Sequence, residues 1–400
     1  MHKILILGGG FAGLMAALNA ADENDRHGGS VAITMVSASP YLTIRPRLYE
    51  RDPETLRTPL APTLGPAGIA FVEAVARTID ADAHLVRFED ARGVAATKNY
   101  DRLILATGSQ LSALPVPGVT EHAFNIDDYE GAVSFDRHLQ KVLENADIAG
   151  HDTFVIVGGG MTGIELAAEM RSRIAVHAGE GLAAKSRVIL IEQANVVGPD
   201  FGKNPRPVIE RALKQAGVEI RLSTTVIRVE PNAVTLAGGE RIAAATTVIA
   251  TGMRASPLTR QIAGQRDELG RLIVDDMLRV TGVPDVFATG DVARATADVG
   301  QCALMSCQHS LTMGKYAGHN ASHDLLGLPL RPYRQPDYTN TLDLGQFGAV
   351  FTRGWDRRVE HFGAEAKKRK MWINSQLIYP VAGDRQAVLA SGRINPETGR

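Results

Sequence analysis

The sequence predicts an α/β protein in which two similar parallel-sheet units lie one within the other, followed by a smaller α+β tail. Three observations predict it. A strand-turn-helix segment occurs twice, as Ile4-Leu5-Ile6-Leu7-Gly8-Gly9-Gly10-Phe11-Ala12-Gly13 and as Phe154-Val155-Ile156-Val157-Gly158-Gly159-Gly160-Met161-Thr162-Gly163. A later strand also recurs, as Leu103-Ile104-Leu105-Ala106-Thr107-Gly108 and Val248-Ile249-Ala250-Thr251-Gly252. A variant of it, Val286-Phe287-Ala288-Thr289-Gly290-Asp291, stands alone and leads into a helical pattern from about Ser306 to Leu326.

Taken in order, the aliphatic runs suit strands buried on both faces, and Leu14 to Ala21 and Ile164 to Val176 carry apolar residues at helical spacing. Pro115 to Gly118 is a turn-rich crossing out of the first unit, and Pro257 marks the return. The expected organisation is therefore 1–115 and 256–330 for the first unit, 116–255 for the inserted one and 331–400 for the tail. In that tail Leu342 to Phe351 and Trp372 to Tyr379 alternate, which predicts an antiparallel sheet.

A chain of 400 residues exceeds one ordinary core, in keeping with several domains. With 43 basic against 44 acidic residues there is no bulk attraction to nucleic acid or anionic lipid, so no nucleic-acid partner is expected. The cysteines, Cys302 and Cys307, are too few for a disulfide scaffold and fit a reducing, cytoplasmic setting. The first apolar run is cut short by Gly8-Gly9-Gly10, and no stretch approaches the ~18 apolar residues of a membrane span. Membrane contact, if any, is expected to be peripheral at the inner face, and the chain to be a monomer or homodimer.

Gly8, Gly10 and Gly13 stand at G-x-G-x-x-G spacing between strand and helix. The first glycine turns tightly, the second admits a pyrophosphate, and the third lets helix pack on strand, with the helix amino terminus facing the phosphates. The acidic residue expected for the adenosine ribose is absent here, because the strand Val31 to Val36 ends in Ser37, whose hydroxyl lacks the charge of a carboxylate. Gly158, Gly160 and Gly163 repeat the spacing, and Val188-Ile189-Leu190-Ile191 ends in Glu192. A carboxylate there binds ribose hydroxyls and repels an extra phosphate, which selects NADH. Glu165 sits on the first helical turn beyond this motif, where the helix dipole favours an acid and where a nicotinamide could also lie.

Two glycine fingerprints, two Ala-Thr-Gly strands and a Thr-Gly-Asp strand in this order resemble the flavoprotein reductases with two dinucleotide-binding domains, the pyridine nucleotide-disulfide oxidoreductase superfamily. Gly158 to Ala167 and Arg45-Pro46-Arg47-Leu48-Tyr49 are most similar to type II NADH dehydrogenases, over about residues 1 to 330. The resemblance implies two Rossmann-like domains binding FAD and NAD, the second inserted in the first, and a small C-terminal α+β domain. It implies FAD contacts from Gly8, Gly10, Phe11, Ala12, Gly13, Ser37, Arg45, Pro46, Val75, Ala106, Thr107, Gly108, Gly290, Asp291, Cys307 and Gln308, with Asp291 on the ribityl chain. NADH contacts would come from Gly158, Gly160, Thr162, Gly163, Glu192, Gly252 and Met253, and catalytic roles from Glu165 and Gln308. The helix starting near Cys307 would aim its amino terminus at the flavin and stabilise the reduced ring.

The quinone half of the family pattern is weaker, since Thr312-Met313 stand where further glutamines would fall. The expected reaction is hydride transfer from NADH to FAD, then electron transfer to a small-molecule acceptor such as a quinone. The alternatives are a small electron-transfer protein of the ferredoxin type, an NADH oxidase, or a non-catalytic NADH-sensing flavoprotein. Cys302 and Cys307 have the Cys-x4-Cys spacing of a redox pair, but related disulfide reductases carry that pair after the first motif. Lys367-Lys368-Arg369-Lys370 reads as a solvated face. The polar end Gly392 to Arg400 does not read as the amphipathic membrane anchor of type II NADH dehydrogenases.

Overall fold

In the computed structural model, which describes residues 1–112, 114–395 and 398–399, two five-stranded sheets carry the architecture. The first has the order Val286–Ala288, Arg102–Leu105, His2–Leu7, Val31–Ser37, Ala70–Glu73, with all pairs parallel. The second runs Phe124–Asn125, Thr246–Ile249, Thr153–Val157, Arg187–Ile191, Val218–Arg221, again all parallel. The repeat seen in the sequence is thus a repeat of topology, with one difference. The edge strand of the first sheet comes from late in the chain, after the inserted unit, and that of the second from the start of its own unit.

Each unit also carries a three-stranded antiparallel layer, Val75–Asp80 with Leu85–Glu89 and Ala95–Asn99, and Val226–Glu230 with Ala233–Leu236 and Arg241–Ala243. The crossing is a two-stranded antiparallel ribbon in which Ser109 faces Ala255 and Leu111 faces Met253. It is reinforced by the Ser112 N–H donating to the Gly252 carbonyl at 2.8 Å.

The helix Cys307–Leu326 begins where Ser306 accepts from the His309 N–H and ends at Gly327, which takes the left-handed conformation with φ 67°. It lies flat on the helix Phe11–Arg26, and close approach decides its residue choice. A Cβ on Gly314 would collide with the Ala12 carbonyl, and one on Gly318 with the Ala16 carbonyl. The Met161–Lys185 helix runs past the predicted end at Val176, with a break at Gly179.

The tail departs from expectation in two places. Thr339–Asp343, Ala349–Arg353 and Arg358–Gly363 form the antiparallel sheet, but Trp372 to Tyr379 is no strand. The helix Ala364–Trp372 continues into a π-helical turn, Ile373–Leu377. Alternation over so few residues does not separate a strand from an exposed helical turn, and Met371, Trp372 and Leu377 are all more than half exposed. A last helix, Arg385–Ser391, docks on Phe11–Arg26, where Asn19 Nδ2 donates to the Gly392 carbonyl at 2.9 Å. Pro396, Glu397 and Arg400 of the polar end lie outside the described residues. Among the described residues no helix is long and apolar enough to cross a membrane.

Candidate active site

The two glycine turns have the same geometry. Gly8 has φ 110° and Gly158 φ 114°, and a Cβ on either would run into the carbonyl group of the neighbouring strand, at Ala106 and Ala250 respectively. A Cβ on Gly13 would collide with the Gly8 carbonyl, and one on Gly163 with that of Gly158, so helix and strand touch only because both are glycine. The middle glycines differ. A Cβ on Gly10 or Gly160 would meet no atom within 4 Å, so neither is required by the packing of the chain itself. That space is what a ligand approaching the backbone would need. The helices beginning at Phe11 and Met161 have no side-chain cap, leaving their first N–H groups as free donors at the positive ends of the dipoles. Thr162 is exposed on the first turn of the second.

Ser37 and Glu192 occupy matching places. A Cβ on Gly9 would stand 2.8 Å from Ser37 Oγ, and one on Gly159 3.0 Å from Glu192 Oε2. Glu192 is 7% exposed and accepts from the N–H groups of Gly159 and Ala194, both at 2.7 Å. It therefore holds the turn in shape, and its remaining lone pairs are available to ribose hydroxyls.

At the carboxyl edge of the first sheet several residues converge, as doubly wound sheets favour for ligands. Asp291 accepts from Ser109 Oγ at 2.6 Å and lies 3.8 Å from Arg45. Arg45 in turn donates to both oxygens of Asp127 at 2.8 Å and stands 3.9 Å from the Met253 sulfur. Burial raises the Asp291 carboxyl, while Ser109 and Arg45 pull it back. Among the described residues the Thr107 and Thr289 hydroxyls, at the ends of adjacent strands, are buried without a partner, a costly state that a polar ligand would relieve. Ala106 and Gly108 flank Thr107, Pro46 lies within the single turn Arg45–Arg47, and Gly290 packs against Ala12. Val75 is 38% exposed and opens its antiparallel layer. Ser109 and Asp127 were not found in the sequence. Ser109 directly follows a predicted contact, whereas nothing local marks Asp127.

Gln308, on the first turn of its helix, donates to Thr339 Oγ1 at 3.4 Å, and the next residue, Asn340, reaches the Met161 sulfur at 3.8 Å. The amino termini of the Cys307–Leu326 and Met161–Lys185 helices thus meet across one strand of the tail. Burial pushes the Cys307 thiol up, which keeps it protonated at neutral pH.

Glu165 does not face an open cradle. It is 3% exposed, and Oε1 accepts from Lys370 Nζ at 2.8 Å and from the Asp343 N–H at 2.9 Å. The side chain anchors the tail to the inserted unit. This also corrects the reading of the basic run as a solvated face. Lys370 is 4% exposed, and Lys367 donates to both Asp343 oxygens at 2.6 and 2.7 Å. A single helical stretch sends these two inward because their spacing of three places them on one face. Burial alone would lower the Lys370 ammonium, but the Glu165 carboxylate more than offsets it and holds it above its ordinary value.

One turn further on, burial pushes Glu169 up to about 7, against the pull of Lys367. A carboxyl raised on folding favours the protonated state, so it costs stability once pH exceeds its unfolded value of about 4.3 and costs most above 7. Glu169→Gln is accordingly expected to raise the melting temperature most at pH 8 and much less at pH 5. A thermal melt at both pH values checks this.

Two glycine cradles of one geometry on two parallel sheets, joined by a ribbon that carries Met253 against Arg45 and Ser109 against Asp291, define a pyridine-nucleotide-dependent flavoprotein oxidoreductase. The chain belongs to the pyridine nucleotide-disulphide oxidoreductase family, whose sequence profile matches residues 2–314. It is 46% identical over 402 residues to an NADH dehydrogenase-like protein of Mycobacterium tuberculosis, covering 99% of this chain and 100% of the relative. To the demethylphylloquinone reductase NdbB of Synechocystis it is 29% identical over 361 residues, covering 88% and 86%. Among solved structures, NDH2 of Plasmodium falciparum in complex with NADH shares the fold with a TM-score of 0.80 at 14% identity, covering 99% of this chain and 98% of that one.

Proposed function

We propose that the chain oxidises NADH held at the Gly158–Gly163 turn, reduces FAD held at the Gly8–Gly13 turn, and delivers the electrons to a quinone. The observation that carries this reading is the pair of superposable cradles, each open at its middle glycine where no side chain packs. When bound, the two cofactors supply the hydride chemistry itself, C4 of the nicotinamide giving and N5 of the flavin receiving.

The residues of the chain position and tune. The free N–H groups of the helices at Phe11 and Met161 bind the pyrophosphates, and the orphan hydroxyls of Thr107 and Thr289 with the Asp291 carboxylate bind the polar chain of FAD. Arg45, fixed by Asp127, lies beside Asp291 and Met253 where the two units meet. The amino terminus at Cys307 and Gln308 supplies a fixed positive dipole for charge arriving on the flavin. Glu165 acts as a positioning residue through Lys370. The units 1–115 with 256–330 and 116–255 are the FAD and NADH domains, and the tail, 331–400, covers their junction. On this reading the protein acts in the cytoplasm, and any contact with the membrane is peripheral.

A quinone is favoured over a protein carrier by the relatives, among them the demethylphylloquinone reductase. Anaerobic mixing of the yellow protein with NADH should bleach the flavin, and a soluble quinone should restore it. Restoration by a ferredoxin or oxygen alone rejects the quinone reading, and bleaching by neither NADH nor NADPH rejects the whole. Glu192→Gln keeps one acceptor for the turn but removes the charge. The NADH over NADPH ratio of kcat/KM should fall by on the order of tenfold, the equivalent of a penalty of about 1.4 kcal/mol.

A further inference from the structure

At the far ends of the two packed helices, away from the glycine turns, Glu23 and His27 face His319 and His323, each pair spaced four residues apart. The Glu23 oxygens divide their partners. Oε1 takes His319 Nδ1 at 3.0 Å and lies 3.7 Å from Arg26, while Oε2 meets His323 Nε2 at 3.1 Å and His27 Nε2 at 3.5 Å. All three atoms of the second set, one from each residue, lie within 4.8 Å of one another.

The proton positions follow from the partners. Pro329 offers only a carbonyl oxygen, 2.7 Å from His323 Nδ1, so that nitrogen carries the hydrogen. In the neutral ring the Nε2 lone pair then points at a carboxylate oxygen 3.1 Å away, an encounter of two acceptors that needs a cation between them. His319 Nδ1 likewise donates to Glu23, and its Nε2, on a residue 4% exposed, is buried without a partner among the described residues. A histidine donating its second N–H to a backbone carbonyl and a carboxylate oriented by a neighbour are the supports that metal ligands ordinarily have. The 3.1 and 3.5 Å from Glu23 Oε2 to the two imidazoles agree: ligands about 2.0–2.1 Å from a zinc ion set tetrahedral edges of roughly 3.4 Å.

We propose that Glu23, His27 and His323 form a site for a divalent transition-metal ion of the zinc class, which pins the Phe11–Arg26 helix to the Cys307–Leu326 helix. His319 is a positioning residue for Glu23, and solvent completes the coordination on the side of His27, which is 39% exposed.

The flavin-loaded protein, stripped with a chelator, is titrated with zinc alone against a competing fluorescent chelator, and the bound metal is read by zinc-edge X-ray absorption. One equivalent with nitrogen and oxygen ligands is expected. His27→Ala and His323→Ala should each weaken binding by at least about 100-fold and His319→Ala by about 10–100-fold. Zinc should raise the melting temperature of the parent protein but not of His27→Ala. His27 is surface-exposed, so its variant decides the matter if the His323 variant fails to fold. No binding by the parent, unchanged affinity in the His27 variant, or sulfur ligands from Cys302 or Cys307 would overturn the site and leave a proton on His323 as the cation facing Glu23.

Discussion

Gly13→Val is expected to yield a colourless protein with no NADH oxidation, whereas Gly163→Val should purify yellow but resist reduction by NADH. Each added side chain is driven into a carbonyl of its own glycine turn, Gly8 in one unit and Gly158 in the other. The helix must retreat from the strand, and with it the N–H groups that cradle the phosphates. For Gly163→Val, misplacement of the nicotinamide by about 1 Å lowers flavin reduction on the order of 10²-fold, while dithionite, which needs no nucleotide site, still bleaches the flavin. Visible absorbance and anaerobic stopped-flow with both reductants separate the two variants. A Gly13 variant that retains flavin, or a Gly163 variant reduced by NADH like the parent, contradicts the assignment of the two cradles.

Lys370→Met is expected to destabilise the protein by about 3–5 kcal/mol, because it leaves Glu165 buried without its ion partner. Burial already raises the Glu165 carboxyl against the pull of Lys370, and removing the lysine raises it further. The sign is fixed by linkage. An acid raised in the folded state binds its proton more tightly there, so the deficit is smallest in acid and grows as pH climbs above the unfolded value of about 4.3. Denaturant melts at pH 5 and pH 8 should show the larger loss at pH 8, and adding Glu165→Gln should recover part of it. A loss independent of pH would mean that the lysine contributes through packing alone.

The parallel sheets, the inserted unit and the helix at Cys307 were legible because each rests on local signals: aliphatic runs, glycines at fixed spacing and a serine cap. Gly8, Gly13, Gly158 and Gly163 are places where geometry admits no other residue, so their roles could be read directly. What stayed hidden depends on residues far apart in the chain. Glu165 is separated by 205 positions from the lysine that occupies it, and nothing near either residue announces the pair. Asp127, in the loop before Tyr129–Leu143, meets Arg45 across 82 positions of sequence. The tail misled for a different reason: alternation across Trp372 to Tyr379 reflects a helical turn half in solvent.

The late arrival of Val286–Ala288 at the edge of the first sheet has a consequence for synthesis. As the chain leaves the ribosome, residues 124 to 249 complete every strand of the second sheet while the first still lacks a member and the helix that covers it. The inserted unit can close while its host waits, open-edged, for some forty further residues to emerge. The order of birth and the order of completion are therefore reversed, and the segment translated first is among the last to be sealed.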